Sequence, residues 1–162
     1  MSVVIKTLKT VLGHVQKVVP EAECRRAYLA EQNLVDLAAM TKPLVTIIPN
    51  DRGAELATRG GVVKSNITVD IGVQRKLTHV GDMERLTEEI DPLIGIVERI
   101  FNEFLTKIIL GDDSFRVVCH KPKHFPAVPM YDPDEISENQ CFLGIVQIEV
   151  EVHHNGNQAQ SG

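Results

Sequence analysis

Ile67-Thr68-Val69-Asp70-Ile71-Gly72-Val73-Gln74 is the stretch that decides the fold. Its apolar residues alternate strictly with Thr68, Asp70, Gly72 and Gln74, the period of two expected of a strand with one buried and one wet face. Upstream, Leu44-Val45-Thr46-Ile47-Ile48-Pro49 is a largely β-branched run between Pro43 and Pro49 and reads as a second strand. Downstream, Phe115-Arg116-Val117-Val118-Cys119 reads as a short strand and Phe142 to Val152 as a long one. In the long strand Val146, Ile148, Val150 and Val152 alternate against Gln147, Glu149 and Glu151. Leu143 and Ile145 make its first half apolar on both faces, which implies cover on both sides.

Helical spacing flanks these strands. Residues 3–19 place Val4, Leu8, Val11, Leu12, Val15, Val18 and Val19 on one side and Lys6, Lys9, Gln16 and Lys17 on the other, with Pro20 as the stop. Glu21 to Tyr28 reads as a short helix, and Asn33 to Asp36 as a turn or short helical segment. Residues 83–109 form the strongest helix, with Leu86, Ile90, Leu93, Val97, Ile100, Phe104 and Ile108 in register. Asp91-Pro92 suits an N-cap and first helical position, so this helix is expected to begin there, after an acidic turn holding Glu84, Glu88 and Glu89. Gly111 is expected to cap its end. Two long loops remain: residues 50–66, with Arg52, Arg59, Gly60-Gly61 and Lys64, and residues 120–141, with Pro122, Pro126, Pro129 and Pro133. The order helix, strand, strand, helix, strand, strand predicts an α+β fold with a small, mostly antiparallel four-stranded sheet and helices on one face. A single domain is expected over residues 1–152, and His153 to Gly162 reads as a disordered polar tail.

Composition narrows the function class. The chain has 162 residues, 43% hydrophobic and 24% charged, and its 4% aromatic share without Trp calls for an aliphatic core. No apolar run spans a bilayer, and Lys6 and Lys9 interrupt the first apolar positions, so neither a membrane span nor a signal peptide is expected. Three Cys cannot all pair within one chain. The net charge of −5 argues against a free-standing nucleic-acid binder. It divides unevenly: residues 1–81 carry 11 Lys/Arg against 7 Asp/Glu, a net of +4, and residues 82–162 carry 6 against 15, a net of −9. Either one acidic helix face and one acidic loop account for this, or the subunit is dipolar and meets its partners through opposite fields.

Chemistry-bearing patterns are sparse. Cys119, His120, His124 and Cys141 lie in one region, with His153-His154 further on, but no close Cys pair accompanies the His120/His124 spacing that zinc favours. Neighbours in a strand point to opposite faces, so Cys119 and His120 do not make a nucleophile and base; Cys24 and Cys141 read as small buried hydrophobes. Neither a nucleophile elbow nor a phosphate-binding glycine motif is present, and no cofactor, metal or catalytic residue is expected. Arg52, Arg59 and Lys64 read equally as a solvated loop or as contacts to a partner. A sheet this small has edges that must be blunted or paired.

Taken together, Arg25-Arg26-Ala27-Tyr28-Leu29, Leu34-Val35-Asp36-Leu37, Leu44 to Pro49, Ile67 to Gln74, the loop Pro126 to Pro133 and the strand Phe142 to Val152 resemble the small neck proteins of long-tailed bacteriophages, the tail terminators or tail-completion proteins. The similarity covers roughly residues 20–152; the helix over 3–19 is the part least matched. The resemblance implies a non-enzymatic virion protein, assembled in the host cytoplasm, whose copies form a ring, typically sixfold, on the tail tube. Its implied partners are further copies of itself, the tail-tube protein, the head connector or stopper, and passing DNA bound without sequence preference. Arg52, Arg59, Lys64, Tyr131 and Asp132 are the expected partner contacts, and Glu149 and Glu151 the expected lumen-facing residues. A head–tail connector or stopper is the nearest alternative, and a Cys/His metal-binding module the outsider.

Overall fold

The computed structural model describes residues 2–29, 34–55, 62–125 and 130–155. Within them lie α1 (Val3–Val18), β1 (Glu23–Arg26), α2 (Leu34–Ala39), β2 (Leu44–Glu55), β3 (Val62–Lys76), α3 (Met83–Leu105), β4 (Ile108–Gly111), β5 (Phe115–Phe125), α4 (Pro133–Asn139) and β6 (Cys141–Asn155). The α+β class stands, but the expected four-stranded, mostly antiparallel sheet does not. One mixed six-stranded sheet, ordered β1-β2-β3-β6-β5-β4, curls into a half-barrel. β1 and β2 run parallel and the other four neighbouring pairs antiparallel. The curl is visible in α1, which touches both edge strands, β1 and β4.

Alternation assigns the two faces. Val45 and Ile47 of β2, Ile67, Val69, Ile71 and Val73 of β3, Phe115, Val117 and Cys119 of β5, and Phe142, Val146, Ile148, Val150 and Val152 of β6 form the main core with α1 and α3. The helices do not all share this face. Leu44 and Cys141 point to the opposite side, where Leu37 and Met40 of the α2 region cover them. This explains the doubly apolar start of the last strand: its Phe142 faces the main core while its neighbour Cys141 faces α2.

α1 begins at Ser2, whose hydroxyl accepts from Ile5 N at 3.4 Å, and buries Leu8, Val11 and Val15. α3 begins at Asp82, whose carboxylate accepts from Arg85 N at 3.3 Å, not at Asp91, and it runs through Pro92 unbroken. A proline in a helix interior costs about 3 kcal/mol. Here Leu86 before it and Leu93, Ile96, Val97, Ile100 and Phe104 after it bury on one core, which offsets that cost. The helix ends at Leu105, so Ile108 belongs to β4, and Gly111 serves a turn instead of a helix cap. Its φ of +82° is the left-handed region, and a Cβ there would meet Phe115 O at 2.1 Å. Asp112 closes the same turn by accepting from Ser114 N and Phe115 N, both at 2.9 Å.

Four further expectations change. Residues 23–26 form edge strand β1, not a helix, and Glu23 N donates to Pro43 O at 2.9 Å where it joins β2. The 50–66 loop shrinks, since β2 continues to Glu55 past a register shift at Pro49/Asp51 and β3 starts at Val62; residues 56–61 lie outside the described residues. The 120–141 loop holds the rest of β5 and the helix α4, with Pro122 inside a second register shift between His120 and Lys123. Proline tolerates such a bulge because no ladder N–H is required there. His153 to Asn155 extend β6 instead of beginning a tail; residues 156–162 lie outside the described residues.

Glu89 fastens the β3–α3 connection, accepting from Thr78 N and Thr78 Oγ1, both at 2.9 Å, and from His79 N at 3.1 Å. Partial burial works to raise its pKa, but these bonds outweigh it and hold the carboxyl below the ordinary glutamate value of 4.5. A carboxyl with a lower pKa folded than unfolded contributes stability that is complete above the unfolded value and lost as pH falls through the folded one. Glu89→Gln is therefore expected to flatten the decline of urea midpoints below pH 4.5; an unchanged slope would show that these bonds do not distinguish the native state.

Candidate functional site

The face of the sheet turned away from α1 and α3 carries the polar residues that alternation predicts. Its centre is a buried layer. Asp70 of β3 accepts from Asn50 Nδ2 of β2 and Gln147 Nε2 of β6, each at 2.8 Å, so one carboxylate ties three neighbouring strands together. Beside it, Thr46 Oγ1 and both amide atoms of Gln74 are buried with no hydrogen-bond partner. Toward the other end of the sheet this face opens into a cleft of about 300 Å³ lined by Asn66, Thr68, His120, Lys121, Glu149 and Glu151.

Charge in the cleft is paired. Glu151 faces Lys64 Nζ at 3.7 Å, and His120 and His153 each at 3.8 Å, while Glu149 faces Lys121 Nζ at 3.3 Å. The sequence correctly placed Glu149 and Glu151 on a wet face, but without the β3–β6–β5 register it hid the cations beside them. That register sets Glu149 opposite His120 and Asn66 opposite Glu151.

Among the described residues, the structure does not bring the remaining expected partner contacts together. Arg52 lies in β2 opposite Ile67, and Arg59 lies outside the described residues. Tyr131 stacks on Phe142, with ring centroids 5.8 Å apart, and Asp132 caps α4 by accepting from Asp134 N at 2.9 Å. Both have local structural work to do.

Nor do the Cys and His candidates gather. Cys119 faces the main core and His120 the opposite side; His124 stacks on Phe101 of α3 at 4.5 Å between centroids; Cys141 sits with Leu37 and Leu44. Among the described residues no group of three or more His, Cys, Asp or Glu is placed to hold a metal ion. Burial pushes the Cys119 thiol up to about 12, and burial together with the charges of Glu21 and Glu23 pushes the Cys24 thiol up to about 11. Iodoacetamide at pH 8 is accordingly expected to leave Cys24 and Cys119 unmodified in the native protein and to label them after denaturation. Rapid native labelling of Cys119 would contradict its placement in the core.

Two surface features escaped the sequence because they depend on strand order. The edges of the sheet each expose an apolar side chain: Tyr28, just past β1, is 67% exposed and Ile109, on β4, is 55% exposed. Charge is also separated across the helix layer. α1 packs on β1 and β2, reaches across to β4, and carries Lys6, Lys9 and Lys17 with no acidic residue; Lys6 Nζ lies over the Phe115 ring of β5, 4.4 Å from its centroid. α3 packs on β5 and β6, and its exposed residues include Glu84, Glu88, Asp91 and Glu98. The +4 and −9 portions of the chain are thus, in their helices, two sides of one layer. The two sides are joined where His14 Nε2 meets Glu103 Oε1 at 2.9 Å and where Arg99 pairs with Glu21. No protein-family model matches the chain, and no curated protein is significantly similar to it.

Proposed function

We propose that the chain is a structural subunit of a bacteriophage neck, a tail-terminator type protein whose copies close into a ring on the tail tube and present a face to the head connector. The observation that carries the reading is the pair of unlike edges of the curled sheet, at Tyr28 and at Ile109, each exposing an apolar side chain beside a strand whose outer edge has no neighbour among the described residues. A ring repeats one heterologous contact until it closes, so each copy needs two different, complementary surfaces. Unpaired strand edges are natural sites for such contacts. The segments that resemble neck proteins support the same reading: four of them fall on β1, β2, β3 and β6, four consecutive neighbours in the sheet. Because Glu149 and Glu151 are matched by cations, they do not form an acidic wall, and no role in a lumen is assigned to them.

The test is solution mass over a range of concentrations, by light scattering and native mass spectrometry, with negative-stain images of the chain added to phage tail tubes. A closed ring of six 18.0 kDa copies, about 108 kDa, seated on tube ends is the expected result. A chain that neither assembles nor caps tubes overturns the reading.

A further inference from the structure

Each long helix carries a glycine on its outer side that nothing within the subunit accounts for. A Cβ built at Gly13 of α1 or Gly95 of α3 would meet no atom within 4 Å, so neither glycine makes room for a neighbour in its own chain. Glycine in a helix interior is nonetheless the least favourable choice after proline. Where such a residue persists without an internal reason, close approach by another backbone is the physical use for it.

The surroundings of the two glycines are complementary. Gly13 lies between Lys9 and Lys17, four residues away on either side, on the exposed side of α1. Gly95, half-buried on the outer side of α3, lies between Asp91 and Glu98, with Glu88 one turn further back; Arg99, four residues after it, has its charge engaged by Glu21. Among the described residues no hydrogen bond or ion pair engages Lys9, Lys17, Glu88, Asp91 or Glu98. Beside α1 runs an open groove of about 900 Å³, walled by Gly13, Gln16 and Lys17 on one side and by Glu23, Cys24 and Lys42 on the other. Its carboxylate, Glu23, is already paired with Arg25 at 3.0 Å, so the lysines set its charge.

We propose that the occupant of this groove is α3 of a second copy of the chain. The Glu88–Asp91–Gly95–Glu98 ridge lies along α1 with Gly95 facing Gly13, and the carboxylates sit against Lys9, Lys17 and Lys42. The inference rests on the ring reading in one respect, that two different faces of the chain meet head to tail. To the sheet edges it adds a helix-to-helix contact, between α1 of one copy and α3 of the next.

Charge reversal and steric block test it on the full chain. Lys9→Glu with Lys17→Glu, and separately Glu88→Lys with Asp91→Lys, set like charges against each other across the contact. Each pair is expected to raise the midpoint concentration of assembly by about a hundredfold or more. Mixing the two variants in equal amounts restores assembly, because the reversed faces complement one another. Gly13→Leu is expected to abolish assembly while leaving the thermal midpoint of the subunit equal or higher, since no atom of its own chain is displaced. Rings that persist in all three variants overturn this contact and leave the ring reading standing. A closed dimer lost in the same variants and regained on mixing upholds the contact and overturns the ring. A wild-type chain that stays monomeric and leaves tail-tube ends uncapped overturns both.

Discussion

Phe104→Ala is expected to lower the free energy of unfolding by about 3–5 kcal/mol, the range for removing a large buried aromatic side chain. Phe104 is fully buried, near the end of α3, and its ring lies 6.0 Å from that of His14 on α1 in an edge-on arrangement. One residue earlier, Glu103 meets His14. The void would therefore open where the two helices cross, and both are held there by side chains on rigid backbone that cannot readily collapse into it. Measured by urea unfolding, the loss is a large fraction of the 5–15 kcal/mol typical of a domain. A cost below about 1 kcal/mol would mean that α1 and α3 are not locked together at this point.

The second large effect concerns Asp70. Asp70→Ala leaves the amide groups of Asn50 and Gln147 without their acceptor in a region where Asp70 itself is only 8% exposed. Each stranded donor costs about 1–3 kcal/mol, so a total of about 2–6 kcal/mol is expected for the two. Asp70→Asn is the informative companion. It keeps the shape and one oxygen, and either partner amide can rotate to offer its own oxygen to the new NH2, so its cost should be well under that of alanine. Equal losses in the two variants would mean that the negative charge, and not the hydrogen-bond count, holds β2, β3 and β6 in register.

How far the sequence reveals this fold depends on where the signal sits. β3 and the second half of β6 are legible because each has one face in the aliphatic core and one outside it, which imposes strict alternation. β1 is not, since Glu23-Cys24-Arg25-Arg26 has no β-branched residue and becomes a strand only by pairing with β2. Ile108 misleads for a different reason: it continues the spacing of α3 although the helix has already ended at Leu105. Asn50 to Glu55 look like a loop by composition, yet the ladder with β3 keeps them extended beyond the bulge. α4 was marked by Asp132-Pro133, an N-cap and first-turn proline hidden among neighbouring prolines. The candidate surfaces were harder still. Lysines on α1 and carboxylates on α3 are visible as composition, but only strand order shows that they occupy opposite sides of one layer.

Strand order also bears on how the protein is made. β6, the strand that joins β3 to β5, follows all five of its sheet-mates in the chain. During translation, β3 therefore waits with the full length of one edge unpaired, Ile67, Val69, Ile71 and Val73 included, until residues 141–155 emerge from the ribosome. A nascent chain in that condition offers sticky strands to any neighbour on the same polysome. At high expression, chaperone supply is then the step expected to limit yield.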